Sequence, residues 1–307
     1  PMSSYPADVT NSYANYGAAA IVVLSRIAGE NWDLPRAADD NAERHYLELD
    51  NNERALLKNI CDSGKFEHVI VLMNSSNYID LGFLKLESDP AYSSKIDGAI
   101  VIGSPGASGI MALGSILSGK INPSGHTVDT VYTDYKKDPT WQNFGGNMSG
   151  EGDVYLNSSG KPTAYYTVDY EENIYMGYRY YETRGHVDGD AWYNKSVVYP
   201  FGYGLSYTSF TQEISNKTEL EGKALKGDEK FDVKIKVKNT GEVPGKQVVQ
   251  LYAEAPYISG GIEKSYKVLV GFAKTGTLAK GAEEEVTITV DPYDFASYDS
   301  QDKNTNG

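Results

Sequence analysis

The chain is expected to be an α/β protein: an open, mostly parallel sheet in an α/β sandwich, followed by an all-β sandwich of immunoglobulin-like architecture. Three observations predict this. Short continuous apolar runs alternate with helical patterns over the first 120 residues or so. The period then changes to two after about residue 205. An irregular stretch rich in Gly, Asn, Asp and Tyr separates the two patterns.

Residues 18–26 (Ala-Ala-Ala-Ile-Val-Val-Leu-Ser-Arg) are a continuous apolar run, the pattern of a strand buried on both faces. Residues 68–73 and 98–103 repeat it. Between the first two, Asp50 opens a helix with Glu53 as its capping-box partner, and Leu56, Leu57 and Ile60 form an apolar stripe. Pro105-Gly106 turns the third run into a helix over roughly 107–119, with Ile110, Leu113 and Leu117 on one face, and Asn122-Pro123-Ser124-Gly125 is a turn. Strands alternating with helices imply a parallel sheet with right-handed crossovers.

From about 135 to 200 the pattern dissolves, and loops of that length in a compact domain usually carry function. Beyond it, Phe231, Val233, Ile235 and Val237 alternate with Asp232, Lys234, Lys236 and Lys238. Asn239-Thr240-Gly241 marks a turn. Val248, Val249 and Leu251, then residues 267–272, then Val286, Ile288 and Val290 complete a set of short strands. The expected domains are 1–204 and 205–298, with 299–307 a polar, disordered tail or linker.

Composition excludes several function classes. The 307 residues carry 40% hydrophobic and 23% charged side chains, as in ordinary globular proteins. A formal charge of −14 disfavours nucleic acid and anionic membrane surfaces, which need clustered Lys and Arg. It suits a neutral ligand such as a sugar, although solubility is its commoner cause. The 25 tyrosines fit both β-sheet surfaces and sugar-lined clefts, the former being the usual source. Cys61 is the only cysteine and reads as a buried structural thiol. The four histidines show no metal-ligand spacing, so neither metal nor cofactor is expected. No apolar run is long enough to span a membrane, and the first residues show no secretory pattern, so the expectation is a cytoplasmic protein. A trimmed secreted one would look the same.

Four stretches, in order, resemble glycoside hydrolase family 3 of the β-glucosidase type. Ile-Asn-Pro-Ser-Gly (121–125) follows Pro105-Gly106 and a small-residue helix. Ile-Tyr-Met-Gly-Tyr-Arg-Tyr-Tyr-Glu-Thr (174–183) is similar to the family's Gly-Tyr-Arg-Tyr segment. Tyr-Pro-Phe-Gly-Tyr-Gly-Leu-Ser-Tyr-Thr-Ser-Phe (199–210) looks like the signature closing its α/β sandwich. Residues 238–252 resemble the centre of its fibronectin type III-like domain. The first stretch alone is an ordinary turn, the third is far more specific, and all four together cover nearly the whole chain.

The resemblance implies a retaining β-glycosidase, β-glucosidase before β-xylosidase, acting on a β-glucoside or oligosaccharide. Such an enzyme uses two carboxylates roughly 5–5.5 Å apart. The family places its nucleophilic aspartate on a TIM barrel, which takes about 250 residues of its own. The chain would thus supply only the acid/base, and the barrel of the same enzyme would be its partner. Glu30 is the candidate. It lies in Ala-Gly-Glu-Asn-Trp-Asp-Leu-Pro (28–35), similar to the family's Gly-Glu loop, and it follows the first strand at its carboxyl end, where α/β sheets place their sites. Trp32 could desolvate it and raise its pKa. A lone Gly-Glu pair would more often be a solvated loop.

Glu151, between glycines in Ser-Gly-Glu-Gly-Asp, is the rival, with a flexible loop tip as its bland reading. Glu171 and Glu172 pair with Arg179 or hold their loop. Trp32 and Trp141 could stack on a sugar, though core packing is the commoner use of tryptophan. Two departures from the family pattern, Ala107-Ser108 and His126, leave the proposed acid in place and the sugar undefined. The domain order matches either the front half of an inverted-order member or a shortened normal-order one. Two other readings stand beside the enzyme. A carbohydrate-binding or scaffold module would bind sugar without turnover. A Rossmann-type nucleotide binder is disfavoured, because no G-x-G-x-x-G follows the first strand.

Overall fold

A computed structural model describes residues 5–27, 29–30, 45–85, 93–143, 154–166, 168, 170–227 and 229–299. Trp32, Glu151 and residues 300–307 of the expected tail lie outside them. The chain forms two compact units: residues 1–106, 131–173 and 195–198 in the first, the remainder in the second.

The first unit is built on three parallel strands in the order β1 (Ala19–Ser25), β2 (His68–Asn74), β3 (Gly98–Val101). Between β1 and β2 runs helix α1 (Asn51–Ser63), and its start is built as its sequence implies. The Glu53 amide donates to Asp50 Oδ1 at 2.7 Å, and the Asp50 amide donates to Glu53 Oε2 at 2.9 Å. Gly64 ends the helix in the left-handed region at φ 57°. Leu57 is fully buried, worth roughly 2 kcal/mol of apolar transfer. Cys61 is buried beside it, and burial pushes its thiol pKa up, which suits a packing role over a reactive one.

The first strand departs from the expectation of burial on both faces. Ala20, Val22 and Leu24 are buried, whereas Ile21 and Val23 are 49% and 53% exposed. β1 is an edge strand of this sheet, so a continuous apolar run does not ensure that both of its faces are covered. β2, the central strand, buries Val69, Val71 and Met73 on one face and Leu72 on the other. The short helix α2 (Pro139–Asn143) also belongs to this unit.

In the second unit, the helix expected over 107–119 appears as two pieces, Gly106–Gly109 and Met111–Leu117, with Ile110 exposed at the break. Glycines 106, 109 and 114 lower the helix propensity of this stretch. Helix α3 (Tyr178–Asp188) carries the Gly-Tyr-Arg segment.

The β-sandwich pairs a three-stranded antiparallel sheet with a two-stranded one. The first joins β4 (Phe210–Ile214), β5 (Phe231–Asn239) and β8 (Glu283–Val290), with β5 central. The second joins β6 (Val248–Ala253) and β7 (Val268–Lys274). The period-two pattern is met: Val233, Ile235 and Val237 from β5 and Val286, Ile288 and Val290 from β8 pack with Val249, Val270 and Leu278.

The most specific sequence signature is explained by its contacts within this unit. Thr127 binds residues 200–203 four times: its amide donates to Tyr203 O, its hydroxyl to Pro200 O, and its carbonyl and hydroxyl accept from the Gly202 and Tyr203 amides. Gly202 sits at φ 74°, where any side chain is strained, and a Cβ there would displace the Gln250 amide that donates to its carbonyl. Asn122 of the Asn-Pro-Ser-Gly turn accepts from Ser206 Oγ and the Tyr207 amide and donates to Pro244 O. Three of the resembling stretches are thus joined by hydrogen bonds through Asn122.

Candidate active site

Glu30 lies five residues past the end of β1, at the carboxyl edge of the parallel sheet, in a turn, and is exposed. What holds that edge is Arg26, which the sequence reading did not single out. Arg26 is buried and all five of its N–H donors are used. Nε donates to Tyr46 O at 2.5 Å, Nη1 to Ser25 O at 2.8 Å and Glu53 Oε1 at 2.7 Å, and Nη2 to Glu48 O at 2.7 Å and Glu53 Oε2 at 2.8 Å. Burial opposes its charge, but the Glu53 carboxylate outweighs that and raises the guanidinium pKa. Glu53 therefore serves two ends at once, capping α1 and pairing with Arg26. The signal that could have exposed Arg26 was present: an arginine closing a buried strand needs a carboxylate, and the capping glutamate was already identified.

Residues 46–48, whose carbonyls Arg26 binds, are braced in turn. The Glu48 carboxylate accepts from the Tyr135 hydroxyl at 2.7 Å and pairs with Lys136 at 3.2 Å. Burial would raise its pKa, but these two partners prevail and hold it below the ordinary carboxylate range. Burial, and then the Glu48 carboxylate, push the Tyr135 phenol well above its usual value. His45 is buried, and its ring packs on Tyr135 and Trp141. Trp141 is half-buried and crosses His45 and Tyr135 at 87° and 82°, with centroids 4.9 and 4.8 Å away. Its ring is thus engaged in a three-ring cluster supporting residues 45–48. Glu172 is buried and accepts from Asn143 Nδ2 at 2.6 Å, which anchors its loop; Glu171 is exposed. At the end of the neighbouring strand β2, the buried side-chain nitrogen of Asn77 has no hydrogen-bond partner among the described residues.

Asp80 gives a pH-dependent prediction. Burial first, then the Glu48 and Asp134 carboxylates, raise its pKa to about 6 against the bond it accepts from the Gly82 amide. An acid whose folded pKa exceeds its unfolded one binds more protons when folded. Its contribution to stability is therefore greatest at low pH and falls as pH rises from about 4 through about 6. The full penalty is at most about 3 kcal/mol. Asp80→Asn keeps the acceptor for Gly82, so urea melts should show about 2 kcal/mol of stabilisation at pH 7 and a flatter pH slope between 4.5 and 7. A less stable variant at pH 7 with an unchanged slope would contradict the assignment.

Among the described residues no group of His, Cys, Asp and Glu is arranged to hold a metal, and no helix is long and apolar enough to cross a membrane.

Against known sequences, the profile of the glycosyl hydrolase family 3 C-terminal domain matches residues 6–207. The chain belongs to glycoside hydrolase family 3. A fibronectin type III-like domain profile of that architecture matches residues 247–305. Relatives include β-glucosidase A of Butyrivibrio fibrisolvens, 33% identical over 97% of this chain and 35% of its own, and a β-glucosidase of Ruminococcus albus, 34% identical over 91% and 24%. The chain therefore spans about a third or less of these relatives. Among solved structures it is similar to β-glucosidase 3B of Thermotoga neapolitana in complex with glucose (TM-score 0.73, 28% identity, 97% of this chain and 36% of that one). It is also similar to a β-glucosidase of Paenibacillus barengoltzii (TM-score 0.71, 32% identity, 94% and 27%).

Proposed function

We propose that the chain is the acid/base-bearing part of a retaining β-glucosidase that removes terminal β-D-glucosyl residues, with Glu30 as the acid/base. In this reading the nucleophilic aspartate lies on a TIM barrel outside these residues, and residues 1–204 and 205–298 are the sandwich and fibronectin-like domains. The observation that carries it is the place of Glu30: an exposed carboxylate just past the carboxyl end of a parallel strand, in a family 3 chain whose relatives are named β-glucosidases.

The chemistry divides between two carboxyl groups. As the bond from the anomeric carbon to the leaving oxygen breaks, Glu30 gives that oxygen its proton and the second carboxylate bonds to the anomeric carbon. Glu30, now a carboxylate, then takes a proton from the water that releases the sugar. Trp32 and Trp141 are the aromatic groups proposed to flank the sugar, with Glu151 as the alternative acid.

The test is hydrolysis of p-nitrophenyl β-glucoside by these 307 residues alone and by the complete gene product. Turnover is expected only from the complete product, because half of the two-carboxylate site is missing from the shorter chain. Turnover by the short chain would place the nucleophile within it and overturn the division.

A further inference from the structure

An acid works only if its proton sits within hydrogen-bond reach of the leaving oxygen, and a misplacement of about 1 Å can cost about 100-fold in rate. Glu30 follows Gly29, a residue paired in a single β-bridge, in a stretch that leaves the sheet at Arg26, and the chain is described again from His45. The geometry at the two ends of that stretch can therefore contribute to holding the acid in place.

Both ends are gathered on one guanidinium. Arg26 donates to the Ser25 carbonyl on the outgoing side and to the Tyr46 and Glu48 carbonyls on the returning side. Its remaining two donors form a bidentate pair with Glu53, whose carboxylate also accepts from the Asp50 amide at the start of α1. The side chains of Arg26 and Glu53 are 4% and 17% exposed, so neither competes for water. The planar fork matters here. Lysine could neutralise Glu53, but its three donors radiate from one nitrogen and cannot reach three carbonyls and a bidentate carboxylate together.

We propose that Arg26 is a positioning residue for the acid/base: it closes the neck of the Glu30 segment, with Glu53 fixing the guanidinium. This inference rests on the reading of Glu30 given above. Its consequence is selective. Departure of a dinitrophenolate needs no proton, whereas departure of a phenolate or alkoxide does. A displaced acid therefore slows only the second kind of substrate, while general damage to the fold slows both.

The experiment compares kcat/KM for dinitrophenyl and phenyl β-glucosides in the complete gene product, for Arg26→Lys, Glu53→Gln and Glu30→Ala. Arg26→Lys is expected to keep the dinitrophenyl rate within about threefold and to lose about 10–100-fold on phenyl β-glucoside. Glu53→Gln keeps one acceptor and should lose less, in the same direction. Equal losses on both substrates, or no loss on the phenyl substrate, overturn the inference. Should Arg26→Lys show no cooperative melt, Glu53→Gln decides by the same criterion. Glu30→Ala separates the two readings. If it discriminates between the substrates and the neck variants do not, the positioning role fails alone. If Glu30→Ala itself fails to discriminate, the assignment of the acid fails.

Discussion

Replacing Glu30 with alanine in the complete gene product is expected to lower kcat/KM for phenyl β-glucoside by about 100- to 10,000-fold, the range a general acid supplies. With the dinitrophenyl substrate, whose first step needs no proton, azide should then restore turnover and divert the product to β-glucosyl azide. The physical reason is space and charge. Removing the carboxylate opens room beside the anomeric carbon and removes a negative charge that would repel the anion. Azide needs no general base, so it can attack the covalent intermediate that water now attacks slowly. Rates on the dinitrophenyl substrate should change little at the first step. Measurements with and without azide, with the product identified by mass spectrometry, check the expectation. Full activity of Glu30→Ala on phenyl β-glucoside would end the assignment, and Glu151→Ala would be the next variant to assay.

The second large effect is on stability. Asn239 is fully buried at the end of β5, and every polar capacity of its amide is used. Nδ2 donates to Val243 O at 2.9 Å and Leu278 O at 2.8 Å, while Oδ1 accepts from Thr208 Oγ1 at 2.7 Å and the Gly241 amide at 3.0 Å. Alanine would strand several buried groups at once, each costing about 1–3 kcal/mol, although relaxation and water recover part of the loss. We expect Asn239→Ala to destabilise the β-sandwich by about 3–5 kcal/mol in chemical denaturation. Asn239→Asp should also be destabilising, because a carboxylate cannot donate to the two carbonyls. A loss below about 1 kcal/mol for alanine would mean that the network contributes little beyond what water replaces.

Asn239 also shows the limit of reading a sequence. Asn-Thr-Gly was expected as a turn, and the Gly241 amide does fold back onto the Asn239 side chain. What a turn signal does not convey is that the asparagine is buried, because its partners at 208 and 278 come from distant parts of the chain. The same holds for Arg26. Its partners at 46, 48 and 53 come together only when the segment after β1 returns. By contrast, the Asp50–Glu53 capping box was legible because both of its bonds span three residues.

The amino-acid sequence by itself determined the two architectures, the start of α1, the buried alternation of β5 and β8 and the family 3 signatures. All of these depend on periodicity or on contacts between near neighbours. It also pointed to Glu30, through a local motif and a position at the end of a strand. Tertiary structure alone decided that β1 buries one face and exposes Ile21 and Val23, since burial depends on what else covers a strand. It alone brought Arg26 to the neck of the Glu30 segment, set Trp141 against His45 and Tyr135, and raised the pKa of Asp80. Each of these depends on contacts between residues distant in the chain, and such contacts exist only once the chain has closed on itself.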